Sequence, residues 1–77
     1  MKALRDEVLT AIREAERAAA QATPGTIEHE RAADAVVRLQ SLHDDIEMAM
    51  RLGITDRGEF GTLFDEAQLE DRAAHGP

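Results

Sequence analysis

Residues 22–27 read Ala-Thr-Pro-Gly-Thr-Ile, and this short break decides how the chain folds. Proline disfavours the α conformation of the residue before it, so Thr23 is expected to end a helix. Gly25 suits the turn because it has no Cβ, and Thr26 is a good N-cap for a second helix. Because so short a connection leaves two helices side by side, the sequence predicts an antiparallel helical hairpin.

The segment before the break has the apolar periodicity of an α-helix, predicted over residues 2–22. Its main stripe advances by alternating steps of three and four residues, the heptad spacing of a coiled coil. Leu9, Ile12 and Ala19 widen this stripe to a face that can cover a core. The stripe itself comprises Leu4, Val8, Ala11, Ala15, Ala18 and Ala22.

The segment after the break predicts a second helix, over residues 27–52, with apolar positions on two neighbouring stripes. A helix that is apolar over so wide an arc contacts two neighbours, and helix 1 can supply only one of them. The first stripe comprises Ala32, Ala35, Leu39, Leu42, Ile46 and Ala49. The second comprises His29, Ala32, Val36, Leu39, His43, Ile46 and Met50.

A third, shorter helix is predicted over residues 55–69, after Gly53 ends helix 2. Thr55 is its expected N-cap, and Phe60, Leu63, Phe64 and Ala67 form its apolar face. Residues 70–77 are polar and are expected to form a frayed tail. The predicted fold class is therefore all-α, an antiparallel hairpin plus a short third helix in one domain of residues 1–69.

The second stripe of helix 2 also predicts self-association. Helix 3 competes for this stripe, because Phe60, Leu63 and Phe64 can fold back over Ile46 and Met50. Its apolar face of about three turns is too short to reach Val36 as well. Each large apolar side chain left in water forfeits about 1.5–3 kcal/mol of burial energy. We therefore expect an antiparallel homodimer resembling a four-helix bundle, with a protein interface made of Val36, Leu39, His43, Ile46, Met50, Phe60 and Phe64.

Composition narrows the class of function. The 77 residues carry a formal net charge of −7, contain no cysteine and include only two aromatic side chains. Acidic residues accumulate toward the C-terminus, which opposes phosphate binding, so no direct nucleic-acid partner is expected. No apolar run approaches the length of a membrane span and no signal-peptide pattern opens the chain, so a cytoplasmic protein without a membrane partner is expected.

The sequence shows no arrangement of residues that is typical of a catalytic or metal-binding site. Ser41 and His43 stand on one helix without a third group that orients the histidine as a base. His43 and Glu47 have the spacing of a shared metal site, but no other histidine is expected at a matching height. His43 is instead predicted to be a polar residue that fixes the register between helices. No catalytic residue, metal, cofactor or small-molecule substrate is expected.

Residues 49–55, reading Ala-Met-Arg-Leu-Gly-Ile-Thr, resemble the turn of a helix-turn-helix DNA-binding module. In that module the Gly-Ile-Thr segment opens the recognition helix. This chain departs from the pattern, because Glu59 stands where an apolar core residue belongs and Arg57 is the single basic side chain in reach of a groove. The resemblance therefore does not change the expectation that DNA is not read directly.

The function predicted from these features is that of a small acidic helical module that acts by protein–protein contact, without catalysis. An alternative is an inhibitor of the phage or mobile-element type, similar to anti-CRISPR proteins or antitoxins. Such a protein blocks a basic nucleic-acid-handling protein, in some cases by mimicking nucleic acid. Its acidic partner-facing surface would comprise Asp56, Glu59, Asp65, Glu66, Glu70 and Asp71.

Overall fold

The structure is a computed structural model, which describes the backbone of residues 1–54 and 56–74 and the side chains of residues 1–54 and 56–69. Three helices account for most of this part of the chain: α1 (Lys2–Gln21), α2 (Ile27–Arg51) and α3 (Gly58–Ala74). The described residues contain no strand. The predicted all-α class is confirmed, and none of the three helices is long and apolar enough to cross a membrane.

The break between α1 and α2 is built from the residues that predicted it. Gly25 has a φ of 89°, in the left-handed region that a side chain disfavours. The Thr26 hydroxyl accepts a hydrogen bond from the backbone N–H of His29 at 3.2 Å and donates one to the carbonyl of Thr23 at 2.6 Å. One side chain therefore caps α2 and closes the turn that returns the chain along α1.

The core lies between α1 and α2 and is completed by α3. Ala32 and Ala49 are also buried on α2, at either end of its inner side. Partly buried side chains, among them Met50, Phe60 and Ala67, surround the central cluster. That cluster comprises Leu4, Val8, Ala11, Ile12, Leu39, Leu42, Ile46 and Phe64.

The end of α2 is a Schellman motif, which turns the chain sharply toward α3. The N–H of Ile54 donates to the carbonyl of Ala49 at 3.0 Å, and the N–H of Gly53 donates to the carbonyl of Met50 at 3.1 Å. Gly53 adopts a φ of 84°, as this motif requires at the residue after the helix. The left-handed backbone conformation of Gly53 therefore explains why α2 ends where the sequence predicted.

The bounds of α3 differ from the predicted 55–69 at both ends. The helix begins at Gly58, where the Asp56 carboxylate accepts a hydrogen bond from the Gly58 N–H at 3.3 Å. Thr55, the expected cap, lies outside the described residues. At the other end α3 continues to Ala74, because residues 70–74 (Glu-Asp-Arg-Ala-Ala) include good helix formers. The expected frayed tail is thus helical as far as Ala74, and residues 75–77 lie outside the description.

Candidate interaction surfaces

The seven residues predicted as a dimer interface divide into a buried and a half-buried set. Leu39, Ile46 and Phe64 are only 7, 0 and 7% exposed, inside the core of the single chain. The half-buried set comprises Val36, His43, Met50 and Phe60. The expectation that this stripe needs a second chain rested on helix 3 being too short, and Phe64 of α3 instead joins Leu39 and Ile46 in one cluster. Most of the stripe is therefore covered within one chain.

His43 stands at the edge of this covered region. Its side chain is 17% exposed, and its Nε2 atom is buried without a hydrogen-bond partner. Nε2 lies 3.5 Å from Glu47 Oε1 and Nδ1 lies 3.8 Å from Asp44 Oδ1, too far for well-formed hydrogen bonds. No group of three potential metal ligands is found among the described residues. A carboxylate therefore lies near each ring nitrogen of His43, and its buried Nε2 atom has no hydrogen-bond partner.

Three exposed apolar residues lie along the side of α2 that faces away from the core. Val37, Met48 and Leu52 are 65, 56 and 73% exposed. At about 100° per residue, Val37 and Met48 lie about 20° apart around the helix, whereas Ile46 lies about 200° from Met48. We call this side the outer face of α2 and define it by Asp34, Val37, Ser41, Asp44, Met48, Arg51 and Leu52, all exposed.

Sequence reasoning missed the outer face because its apolar residues belong to neither predicted stripe. Val37, Met48 and Leu52 are interrupted by Ser41 and Asp44, so their spacing does not show a continuous apolar helix side. The sequence does indicate that Met48 and Leu52 are adjacent on the helix surface, because they are i,i+4 neighbours. It does not indicate that they are exposed, because exposure depends on which sides of α2 contact α1 and α3.

A second candidate surface is an open groove of about 420 Å³ between α1 and α3. Ala11 and the buried ring of Phe64 contribute its apolar part, and Gln68 lines it from α3. Its α1 side carries the polar side chains of Asp6, Glu7, Thr10 and Glu14. The groove therefore combines apolar lining with three carboxylates, although residues 1–22 as a whole carry no net charge.

Two ion pairs border this groove. Glu7 Oε2 lies 3.9 Å from Nη2 of Arg57, which precedes α3, and Asp6 Oδ1 lies 3.9 Å from Arg5 Nε. Three of the four side chains are more than half exposed and Arg5 is half-buried, so these pairs contribute little to stability. Glu14 has no ion-pair partner in the described part of the chain.

The acidic surface predicted on the C-terminal third is only partly described by the structure. Asp56, Glu59, Asp65 and Glu66 are all exposed, and the side chains of Glu70 and Asp71 lie outside the description. Glu59 and Glu66 are seven residues apart and share one side of α3, whereas Asp65 is turned by about 100° from Glu66. Asp56 precedes the helix. The described carboxylates therefore do not all lie on one side of α3.

The likeness to a helix-turn-helix module does not extend to the start of the third helix. α2 ends at Arg51 and α3 begins at Gly58, so Ile54 and Asp56 belong to the connection rather than to a recognition helix. Arg57, the one basic side chain expected near a groove, lies beside Glu7 of α1.

Comparison of the chain with protein-family models, with curated proteins and with solved structures found no match in any of the three.

Proposed function

We propose that this chain is a small non-catalytic module that acts by protein–protein contact, and that it contacts its partner through the outer face of α2. The observation that supports this is the alignment of Val37, Met48 and Leu52 along one exposed helix side. Single exposed apolar residues are common and need no explanation. Apolar residues aligned on one side of a helix are the arrangement by which helices are recognised in grooves or by other helices.

The energetics favour a reversible contact. Burying a large apolar side chain completely contributes about 1.5–3 kcal/mol, and these three are already partly covered. Association costs at least about 4 kcal/mol in lost translational and rotational freedom. Three apolar side chains therefore give at most a weak interface by themselves, and the polar members of the outer face have to contribute complementarity.

The proposal includes no cofactor and no small-molecule substrate, and it places the protein in the cytoplasm. Ser41 and His43 lie about 200° apart around α2, so the hydroxyl and the imidazole point to opposite sides of the helix. This separation supports a non-catalytic role, because a hydroxyl nucleophile needs a base within hydrogen-bonding reach. The lack of cysteine fits a reducing compartment.

The experiment compares three tagged proteins in a native lysate: wild type, a Val37→Glu/Met48→Glu variant and a Leu63→Glu/Leu69→Glu control. Leu63 and Leu69 are 50 and 63% exposed on α3, close to the 56 and 65% of Met48 and Val37, so the control adds the same two charges at similarly exposed apolar sites. We expect the Val37→Glu/Met48→Glu variant to lose proteins that wild type and control both retain, with unchanged helix content by circular dichroism. Equal retention by all three proteins would contradict the proposal.

A second candidate function is the inhibitor of a basic nucleic-acid-handling protein, similar to anti-CRISPR proteins or antitoxins. The groove between α1 and α3 favours it, because Asp6, Glu7 and Glu14 line an apolar depression there. Electrostatic complementarity of this kind steers a basic partner and weakens with salt. The test is binding of an arginine-rich helical peptide, which should fall on Asp6→Asn/Glu14→Gln substitution and with added salt. Equal binding by wild type and variant argues against this candidate.

A further inference from the structure

The outer face of α2 is complementary to itself when two copies lie antiparallel. Six of its residues follow one another by steps of three and four, which is the spacing of a coiled-coil seam: Asp34, Val37, Ser41, Asp44, Met48 and Arg51. All six are exposed, and the buried residues of α2, such as Leu39 and Ile46, lie on its other side. Neither α1 nor α3 therefore obstructs a second helix on this seam.

The order of residues along the seam gives matched chemistry in the antiparallel arrangement. The two-fold axis crosses the helix pair at the level between residues 42 and 43. Val37 then lies opposite the second copy's Met48, and the symmetry forms this apolar contact twice. Asp34 lies opposite the second copy's Arg51, which pairs an anion with a cation. Ser41 lies opposite the second copy's Asp44, so a hydroxyl can donate to a carboxylate.

The charged residues at the two ends of the seam are not already paired within one chain. Neither Asp34 nor Arg51 has an ion-pair partner within the described part of its own chain. Both charges are therefore available to pair across the seam.

Charge disfavours the parallel alternative. In a parallel pair in register each seam residue meets its own copy, so Asp34 meets Asp34, Asp44 meets Asp44 and Arg51 meets Arg51. Like charges at facing positions repel, and such repulsion selects one orientation of helix pairing over another. Only the antiparallel arrangement replaces these contacts by an opposite-charge pair and a hydroxyl–carboxylate pair.

We propose that the outer face of α2 binds a second copy of this chain, as an antiparallel helix pair with its two-fold axis between positions 42 and 43. This inference rests on the proposed function and specifies its partner. The resulting dimer differs from the one predicted from the second stripe of α2, because Leu39, Ile46 and Phe64 stay in the core of each subunit.

A charge-swap series measured by sedimentation equilibrium tests the register. Asp34→Arg and Arg51→Asp each place like charges opposite one another at two symmetry-related positions, so each should weaken dimerisation about tenfold. The double variant Asp34→Arg/Arg51→Asp restores opposite charges and should return the dimerisation constant to near that of wild type. A double variant as weak as the single variants would overturn the antiparallel register.

Cysteine cross-linking gives an independent measurement, because the chain contains no cysteine of its own. A mixture of Val37→Cys and Met48→Cys chains treated with a short thiol cross-linker should give the mixed dimer. Neither variant alone should cross-link, because identical positions lie about three helical turns apart in this register. Cross-linking of Val37→Cys with itself identifies a parallel pair and contradicts the inference.

The inference and the proposed function fail in different experiments. A wild type that remains monomeric up to about 0.5 mM overturns the antiparallel dimer. If wild type is monomeric but retains a lysate protein that Val37→Glu/Met48→Glu does not retain, the proposed function stands and the partner is a foreign chain. If wild type dimerises and Val37→Glu/Met48→Glu dimerises equally well, both the inference and the outer face as a contact surface are contradicted.

Discussion

The two sides of α2 differ in what covers them. On the inner side, Leu39 and Ile46 are enclosed by α1 and by Phe64 of α3. On the outer side, Val37, Met48 and Leu52 remain more than half exposed. One helix thus provides burial energy for the fold on one side and apolar surface available for contact on the other. Substitutions on the two sides should therefore separate stability from association.

The largest effect is expected where α3 closes the inner side. Phe64→Ala removes a ring that is 7% exposed and should lower the free energy of unfolding by about 3–5 kcal/mol, measured by urea denaturation. The neighbouring Leu63 is 50% exposed, so Leu63→Ala is the control and should cost less than about 1 kcal/mol. Equal losses for the two variants would show that α3 does not dock through Phe64.

A smaller substitution compares the two sides of α2 directly. Ile46→Val removes one methylene from a fully buried side chain and should cost about 0.5–1.5 kcal/mol in thermal or urea unfolding. Val37→Ala removes more atoms from the outer face but should change the stability of the monomer by less than about 0.5 kcal/mol. The comparison must be made at low protein concentration, where association does not contribute. The reverse order of effects contradicts the assignment of inner and outer sides.

The smallest effect is expected at the boundary, where His43 keeps a buried nitrogen unsatisfied. A buried polar atom without a partner is unfavourable, and replacing it by an apolar group of similar size removes that cost. His43→Leu should therefore raise the free energy of unfolding by about 0.5–1 kcal/mol. His43→Gln serves as the control because it retains a polar group at this site. Clear destabilisation by leucine would mean that the imidazole makes a favourable contact that its geometry does not suggest.

The hairpin could be predicted because its signals are local. Pro24, Gly25 and Thr26 act through their own backbone and the adjacent turn, and the observed cap uses the predicted threonine. The end of α2 at Gly53 follows from the same kind of signal. Local residues with strong conformational preferences therefore defined two of the three helices to within one residue at each end.

The position of α3 and the contact surface could not be predicted, because both depend on packing between distant residues. Whether Phe64 covers Leu39 and Ile46 or leaves them for a second chain depends on the path after Gly53, which no periodicity encodes. The start of α3 at Gly58, where Asp56 accepts a hydrogen bond from the Gly58 N–H, was not predicted either. The outer face of α2 is defined only by what the other helices leave uncovered.

The most direct test of the central claim is a dilution series of the wild-type protein followed by nuclear magnetic resonance. If the outer face of α2 is the contact surface, concentration-dependent shifts should appear at Val37, Ser41, Met48 and Leu52. The amide signals of Leu4 and Val8 in the core should not move. Shifts centred on Val36, His43 and Phe60 instead, with the outer face unchanged, would contradict the account and return the interface to the second stripe of α2.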